Sequence, residues 1–315
     1  MITSIVECFF IFIAFFFSFL RKIYKVNRMT TLTFNTTNKD LWLSRIMEYR
    51  NCIQDDGCGT VVFTFPNIEV KNLKPVHIVS LACLIEHISR FNVEIKVDRK
   101  TSVGDYLFKT LKFKEYWAGG QDYSSVSDEN ILNLWRLKEA QMDFYGAEVT
   151  KYLKAKFNSD KDLSAVKLSI TEAFYNVCDH ADANGNAFSF ILFEPDKQIL
   201  HIAVCDFGIG IGNSVRTVLP YVNDEEALRK AIEPRFTVRS KKHNSGMGLD
   251  SIRGSSTEDQ SMLILSNEAF LMTKGESIRT QKMDFEFKGT LVYYKINLNH
   301  YEVPETLDIL DFDYL

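Results

Sequence analysis

The sequence predicts an α/β protein in which a small β-α-β-α unit precedes a larger α/β sandwich. Two observations carry this. Short β-branched and aromatic runs alternate with helical apolar patterns between residues 59 and 111. Further on, a helical segment leads into paired apolar strands, the second of which runs into a glycine-rich loop, Asp206-Phe-Gly208-Ile-Gly210-Ile-Gly212.

The first residues stand apart. Residues 2–20 read ITSIVECFFIFIAFFFSFL, and Arg21, Lys22, Lys25 and Arg28 follow. Nineteen helical residues span about 28 Å, near the thickness of a bilayer core. The basic flank places the remainder in the cytoplasm by the positive-inside rule. Residues 1–28 are therefore either a membrane anchor, with association through 2–20, or the product of a mis-called start, since Met29 opens a second N-terminus. Both readings leave the working part cytoplasmic. The anchor reading tethers it to the inner face of the plasma membrane.

From Met29 to residue 122 the pattern is that of the small unit. Residues 59–65 (GTVVFTF) form a strand after the turn-like Asp55-Asp56-Gly57. Residues 75–89 carry helical apolar spacing behind Pro75. A second strand at 93–97 and a short helix at 103–111 complete a rhythm that implies a parallel strand pair with a crossover. Residues 123–160 read as a linker, mostly one long helix over 128–157 capped by Ser127, with Leu132, Leu134, Trp135 and Leu137 apolar. The next unit, 161–300, opens with a helix over 162–180. Strands at 187–193 and 199–205 join through Glu194-Pro195-Asp196, and later strands fall at 262–266 and 290–298. The tail, 301–315, carries five acids and no base.

The 315 residues have a net charge of −4, so no general basic surface recruits nucleic acid. Six scattered cysteines without a C-x-x-C pair fit a reducing compartment rather than a disulfide framework or a zinc site.

Four small patterns carry chemistry. Glu172 and Asn176 stand four apart on one helix face, and His180 follows four later. Asn offers a neutral oxygen suited to Mg²⁺, and a neighbouring carboxylate can orient or deprotonate a nucleophile. Asp206 ends a strand, where it can accept from an exocyclic amine, and Gly208, Gly210 and Gly212 allow the backbone to turn sharply. Gly246-Met247-Gly248-Leu249 leads into a helix whose free N–H groups suit phosphate, with Arg235, Arg239, Lys241 and Lys242 upstream as mobile cations. Thr290 follows Gly289 into the last strand. Each alone is an ordinary feature of a solvated face or loop. The spacing is neither the Rossmann fingerprint nor a Walker P-loop.

Taken in order, the four resemble the boxes of the GHKL ATPase superfamily, which includes gyrase, the mismatch-repair ATPase, heat-shock chaperones and histidine-kinase catalytic domains. Glu172, Asn176 and His180 match the N box in the form E-x-x-x-N-x-x-x-H, similar to bacterial anti-sigma-factor kinases. Asp206, Gly208 and Gly210 match D-x-G-x-G; Gly246, Gly248 and Leu249 match G-x-G-L; Thr290 matches the last-strand threonine. The resemblance implies a Bergerat fold, a mixed sheet with helices on one face, with ATP under a flexible lid spanning about 213–245. It implies that Asp206 binds adenine, Asn176 the Mg²⁺, and Gly246 to Gly248 the phosphates, with Glu172 the catalytic base or a partner of Mg²⁺-bound water. His180, Met247, Leu249, Thr290, Arg239 and Lys242 complete the expected binding set. No histidine occurs in 128–157, which disfavours a self-phosphorylating sensor kinase. The 59–117 segment is similar to a STAS-like domain in rhythm, without the antagonist's Asp-Ser pair. The expected function is Mg-dependent ATP binding with hydrolysis, or transfer to a protein Ser/Thr in bacterial-type signalling. The alternative is a non-catalytic ATP sensor that controls a partner protein. Homodimerisation is compatible with either.

Overall fold

The computed structural model describes residues 29–53, 59–117, 120–121, 128–157, 163–180, 182–233, 236 and 260–301. The segment 2–20 lies outside them, and among the described residues no helix is long and apolar enough to cross a membrane. The chain is α/β, with two sheets among the described residues.

The first sheet holds β1 (Met29–Thr33), β2 (Thr60–Thr64) and β3 (Glu94–Val97) in the order β1-β2-β3, all parallel. The expected crossover pair is β2 and β3. β1 and the helix after it, α1 (Lys39–Cys52), had no clear pattern in the sequence. Asn38 caps α1 by accepting the Leu41 N–H, and Trp42, Leu43, Ile46 and Met47 form its buried stripe.

Helix α2 (Pro75–Ser89) begins at Pro75 as expected, and its sides are buried from Pro75 to Glu86. A helix apolar all round must be covered all round. One side meets α1, where Trp42 Nε1–H donates to Ser80 Oγ at 3.1 Å. Another packs on β5 (Ala187–Glu194) and β6 (Ile199–Asp206) of the second sheet. A short helix, α3 (Ser102–Asp105), continues into a π turn over Tyr106–Thr110.

The second sheet adds β4 (Ile131–Arg136), β7 (Ser261–Lys274) and β8 (Ser277–Asn297) in the order β4-β5-β6-β8-β7. Every pair is antiparallel. The expected mixed sheet is thus corrected. Tight connections between β5 and β6 and between β7 and β8 impose antiparallel pairing. The face carrying Phe188, Phe190, Ala203, Cys205, Leu291 and Tyr293 is too apolar for water, and the α1–α2 layer covers it. The opposite face, with Ile191, Leu200, Ile202, Val204, Val292 and Tyr294, packs under α4 (Met142–Phe157) and α5 (Ser164–His180).

The expected long helix over 128–157 is also corrected: residues 131–136 are β4, and the helix starts only at Met142. A bulge between Leu132 and Trp135 breaks the two-residue alternation, so Ile131 and Leu134 face one core while Leu132 and Trp135 face the other. That broken period imitates helical spacing.

A buried ion pair ties α2 to β4. Arg136 Nη2 lies 3.0 Å from Glu86 Oε2, with side chains 4% and 7% exposed. The same guanidinium donates to Tyr116 O and, at 3.1 Å, to Gly185 O. Glu86→Ala strands that cation, and the expected loss is about 3–5 kcal/mol, read as a lower urea midpoint at unchanged m.

Candidate functional site

Strand β6 delivers Asp206 to the α4–α5 side of the sheet, the side shared by Leu200, Ile202 and Val204. One row crosses the strands there. Ala187 of β5 pairs with Asp206, Asp206 with Thr290 of β8, and Thr290 with Ser266 of β7. Asp206 is 0% exposed, and Thr290 is 8% exposed.

The carboxylate is only half satisfied. Its Oδ1 accepts the Gly208 N–H at 2.8 Å, while the buried Oδ2 has no hydrogen-bond partner. Burial pushes the carboxyl pKa up to about 7, against the pull of the Gly208 and Thr290 backbone N–H groups and the Arg50 guanidinium. A buried acceptor lacking its donor is costly in a folded protein.

Two of the glycines after Asp206 lie close against side chains. Gly210 has φ +82°, and a Cβ there would lie 2.5 Å from Asn267 Oδ1. At Gly212 a Cβ would lie 2.2 Å from Asp224 Oδ1. The loop is held from β7. Ile211 N–H donates to Ser266 Oγ at 2.7 Å, Gly212 N–H to Asn267 Oδ1 at 2.9 Å, and Asn267 Nδ2 donates to Ile209 O at 3.2 Å. Ser266 Oγ also donates to Gly289 O at 2.8 Å and sits 3.3 Å from Thr290 Oγ1. Because Ser266 and Asn267 take these N–H groups, the loop serves to place Asp206. Neither residue was found by sequence reasoning; the signal was a Ser-Asn-Glu run interrupting an apolar strand.

After the loop come α6 (Ile211–Arg216) and α7 (Asp224–Ala231). Asn223 and Glu226 form a capping box, Arg216 Nη1 lies 2.6 Å from Asp224 Oδ1, and Ala227 and Leu228 are fully buried. The stretch expected to begin a flexible lid at 213 is therefore, through 231, a packed helical pair. Residues 237–245 of that lid, including Arg239 and Lys242, lie outside the described residues, as do Gly246, Met247, Gly248 and Leu249 of the second glycine pattern.

Glu172, Asn176 and His180 lie on α5, of which the backbone is described at these three positions. Val166, Ile170, Ala173 and Phe174 bury the helix against the sheet face that carries Asp206. Among the described residues no group of three or more His, Cys, Asp or Glu is placed to hold a metal ion. The structure thus brings Asp206, Gly208, Gly210 and Thr290 together and sets the helix that bears Glu172, Asn176 and His180 over the same face.

No protein-family model matches the chain, and no curated protein matches it.

Proposed function

We propose that residues 161–300 form a GHKL-type, Bergerat-like ATP site that works with Mg²⁺. The single observation that carries this reading is the buried Asp206 Oδ2 without a donor, at the end of a central strand and opposite Thr290. An adenine amine supplies the missing N–H, and the Thr290 hydroxyl is a second polar contact for the base. The Gly208 N–H holds the carboxylate in place through Oδ1. On α5, Asn176 has the chemistry to hold Mg²⁺ through its amide oxygen, and Glu172 that of a base for a water or hydroxyl nucleophile. Bound MgATP supplies a transferable phosphoryl group, and the chain's task is positioning and charge neutralisation. Gly246, Met247, Gly248 and Leu249, with Arg239 and Lys242, complete the phosphate end of this reading, with His180 near the end of α5.

The reaction is hydrolysis or transfer to a protein Ser/Thr. A second reading, a non-catalytic ATP sensor acting on a partner, is favoured by the α1–α2 layer against the back of the sheet, since a neighbour so placed can register occupancy. The parallel β1-β2-β3 sheet agrees with a STAS-like character for that neighbour.

Glu172→Ala separates the readings. If the site is an enzyme, calorimetry finds MgATP affinity within about threefold of wild type, while label from γ-labelled ATP stops reaching free phosphate or protein, a loss of at least about 10²-fold. Wild type that binds MgATP and releases or transfers no label is the sensor. Wild type without Mg-dependent affinity for adenosine nucleotides refutes both.

A further inference from the structure

We infer that Arg50, contributed by helix α1 of the N-terminal unit, is a positioning residue for the adenine pocket, acting on Asp206 through the peptide that joins Phe207 to Gly208. This rests on the ATP reading above and adds to it a residue from outside the unit that carries the four boxes.

The argument is geometric. Arg50 lies in the last turn of α1. Its Nη2 donates to Phe207 O at 3.5 Å, and its Nη1 donates to Lys288 O. Its guanidinium carbon sits 4.3 Å from the centroid of the buried Phe207 ring. The peptide whose carbonyl accepts from Arg50 is the one whose N–H, on Gly208, donates to Asp206 Oδ1 at 2.8 Å. A cation at the carbonyl end and an anion at the N–H end both align with that peptide's dipole, so each strengthens the other's hydrogen bond. The second contact is beside Gly289, where a Cβ would lie 2.1 Å from Asp206 O. Arg50 therefore grips, from behind, the two backbone segments whose close approach sets Asp206 opposite Thr290. Arginine suits this because one planar fork spans two carbonyls.

The other charged and titratable groups around this point leave the role to Arg50. His87 of α2 packs edge-on to Phe207, and burial, with Arg50 and Arg90, lowers its pKa to about 4, so it is neutral from pH 6 to 9. Cys83 of α2 and Cys205 of β6 are buried thiols, and burial raises the Cys205 pKa well above its ordinary value. Glu286 of β8 acts on Arg50 and favours the guanidinium charge. On the opposite face α5 carries Glu172, Asp179 and His180, which are the same in all variants compared.

The test measures MgATP affinity of the full chain from pH 6 to 9 for wild type, Arg50→Met, Arg50→Lys and Asp206→Asn, and for Arg50→Met combined with Asp206→Asn. For Arg50→Met the expected result is binding weakened about five- to tenfold at pH 7, with the midpoint of the pH profile moved up by about one unit and affinity recovering towards pH 9. Arg50→Lys, which keeps the charge but not the fork, is expected to fall between. In the Asp206→Asn background Arg50→Met is expected to add less than about twofold, because its target is gone. Wild-type affinity and an unmoved midpoint in both Arg50 variants overturn the inference. So does an equal loss at every pH, or a full additional loss on top of Asp206→Asn, either of which marks general packing damage. Absence of binding by the wild type refutes instead the ATP reading on which the inference rests.

Discussion

Asp206→Asn is expected to weaken MgATP binding more than tenfold at pH 8 while making the nucleotide-free protein more stable. Both effects come from one atom. Oδ2 is buried without a donor, and the carboxyl pKa is raised to about 7. A buried hydrogen bond to a charged acceptor contributes about 1.5–3 kcal/mol, hence the loss in affinity. The stability effect has a definite sign. An unfolded Asp titrates near ~3.9, so between about pH 4 and pH 7 the folded state holds the extra proton. Stability falls as pH rises through that window and then levels off with the full penalty of an ionised, buried carboxylate. The amide does not ionise and escapes the penalty. The expected gain for the variant is about 2–4 kcal/mol at pH 8, vanishing near pH 4, measured by urea unfolding without nucleotide. Ionisation also governs binding in the wild type, because the acceptor for an amine is the carboxylate. Its affinity is expected to be about tenfold weaker at pH 6 than at pH 8. A variant that binds as tightly as wild type ends the adenine assignment. One that gains no stability at pH 8 contradicts the burial argument.

The parts of the fold that could be read from the sequence were those governed by a single local rule. Helix α2 was legible because Pro75 starts it and apolar residues run its length. β5 and β6 were legible because Glu194-Pro195-Asp196 separates two apolar runs. The same rules failed where two neighbours act at once. The bulge in β4 serves two cores, and its pattern imitated a helix. β1 reads MTTLT, too polar to announce a strand, and owes its place to the parallel register with Thr60–Thr64. The helical spacing of α2 did not say what covers it, and burial on all sides requires the second sheet, which only tertiary structure reveals.

The candidate site divides in the same way. Asp206 and its glycines could be found because a strand-ending acid before alternate glycines is a local pattern. Arg50 could not, because what marks it is contact across the fold, and the polar run at Ser266 and Asn267 does not by itself say that they hold the loop. Arg50 meets Phe207 O from 157 residues away. β8 was foreseen only from Thr290 onward, although it starts at Ser277. Residues 283–286 bulge out opposite Glu268, since Asn267 pairs with Phe287 and Ala269 with Lys282, and such a bulge hides the alternation.

Gly289→Ala is expected to be the most damaging small change in the site, and Gly185→Ala is its control. Both glycines have positive φ, +130° at Gly289 and +77° at Gly185. At Gly185 a new Cβ meets nothing within 4 Å, so only backbone strain of about 1 kcal/mol is expected. At Gly289 the Cβ would lie 2.1 Å from Asp206 O and 2.9 Å from Phe207 Cα, both backbone atoms that no rotamer change can move aside. The chain must either pull β8 away from β6 or leave an unfavoured φ, which alone costs about 1–3 kcal/mol. Separation also withdraws Thr290 from Asp206. The expected loss is more than about 3 kcal/mol in urea unfolding, against about 1 kcal/mol for the control. Whatever folded fraction remains at low temperature is expected to lose MgATP affinity at least about tenfold, with the control unchanged. If the two alanine variants unfold at the same urea concentration, β6 and β8 do not approach as closely as the geometry requires, and the pocket built on that approach falls with it.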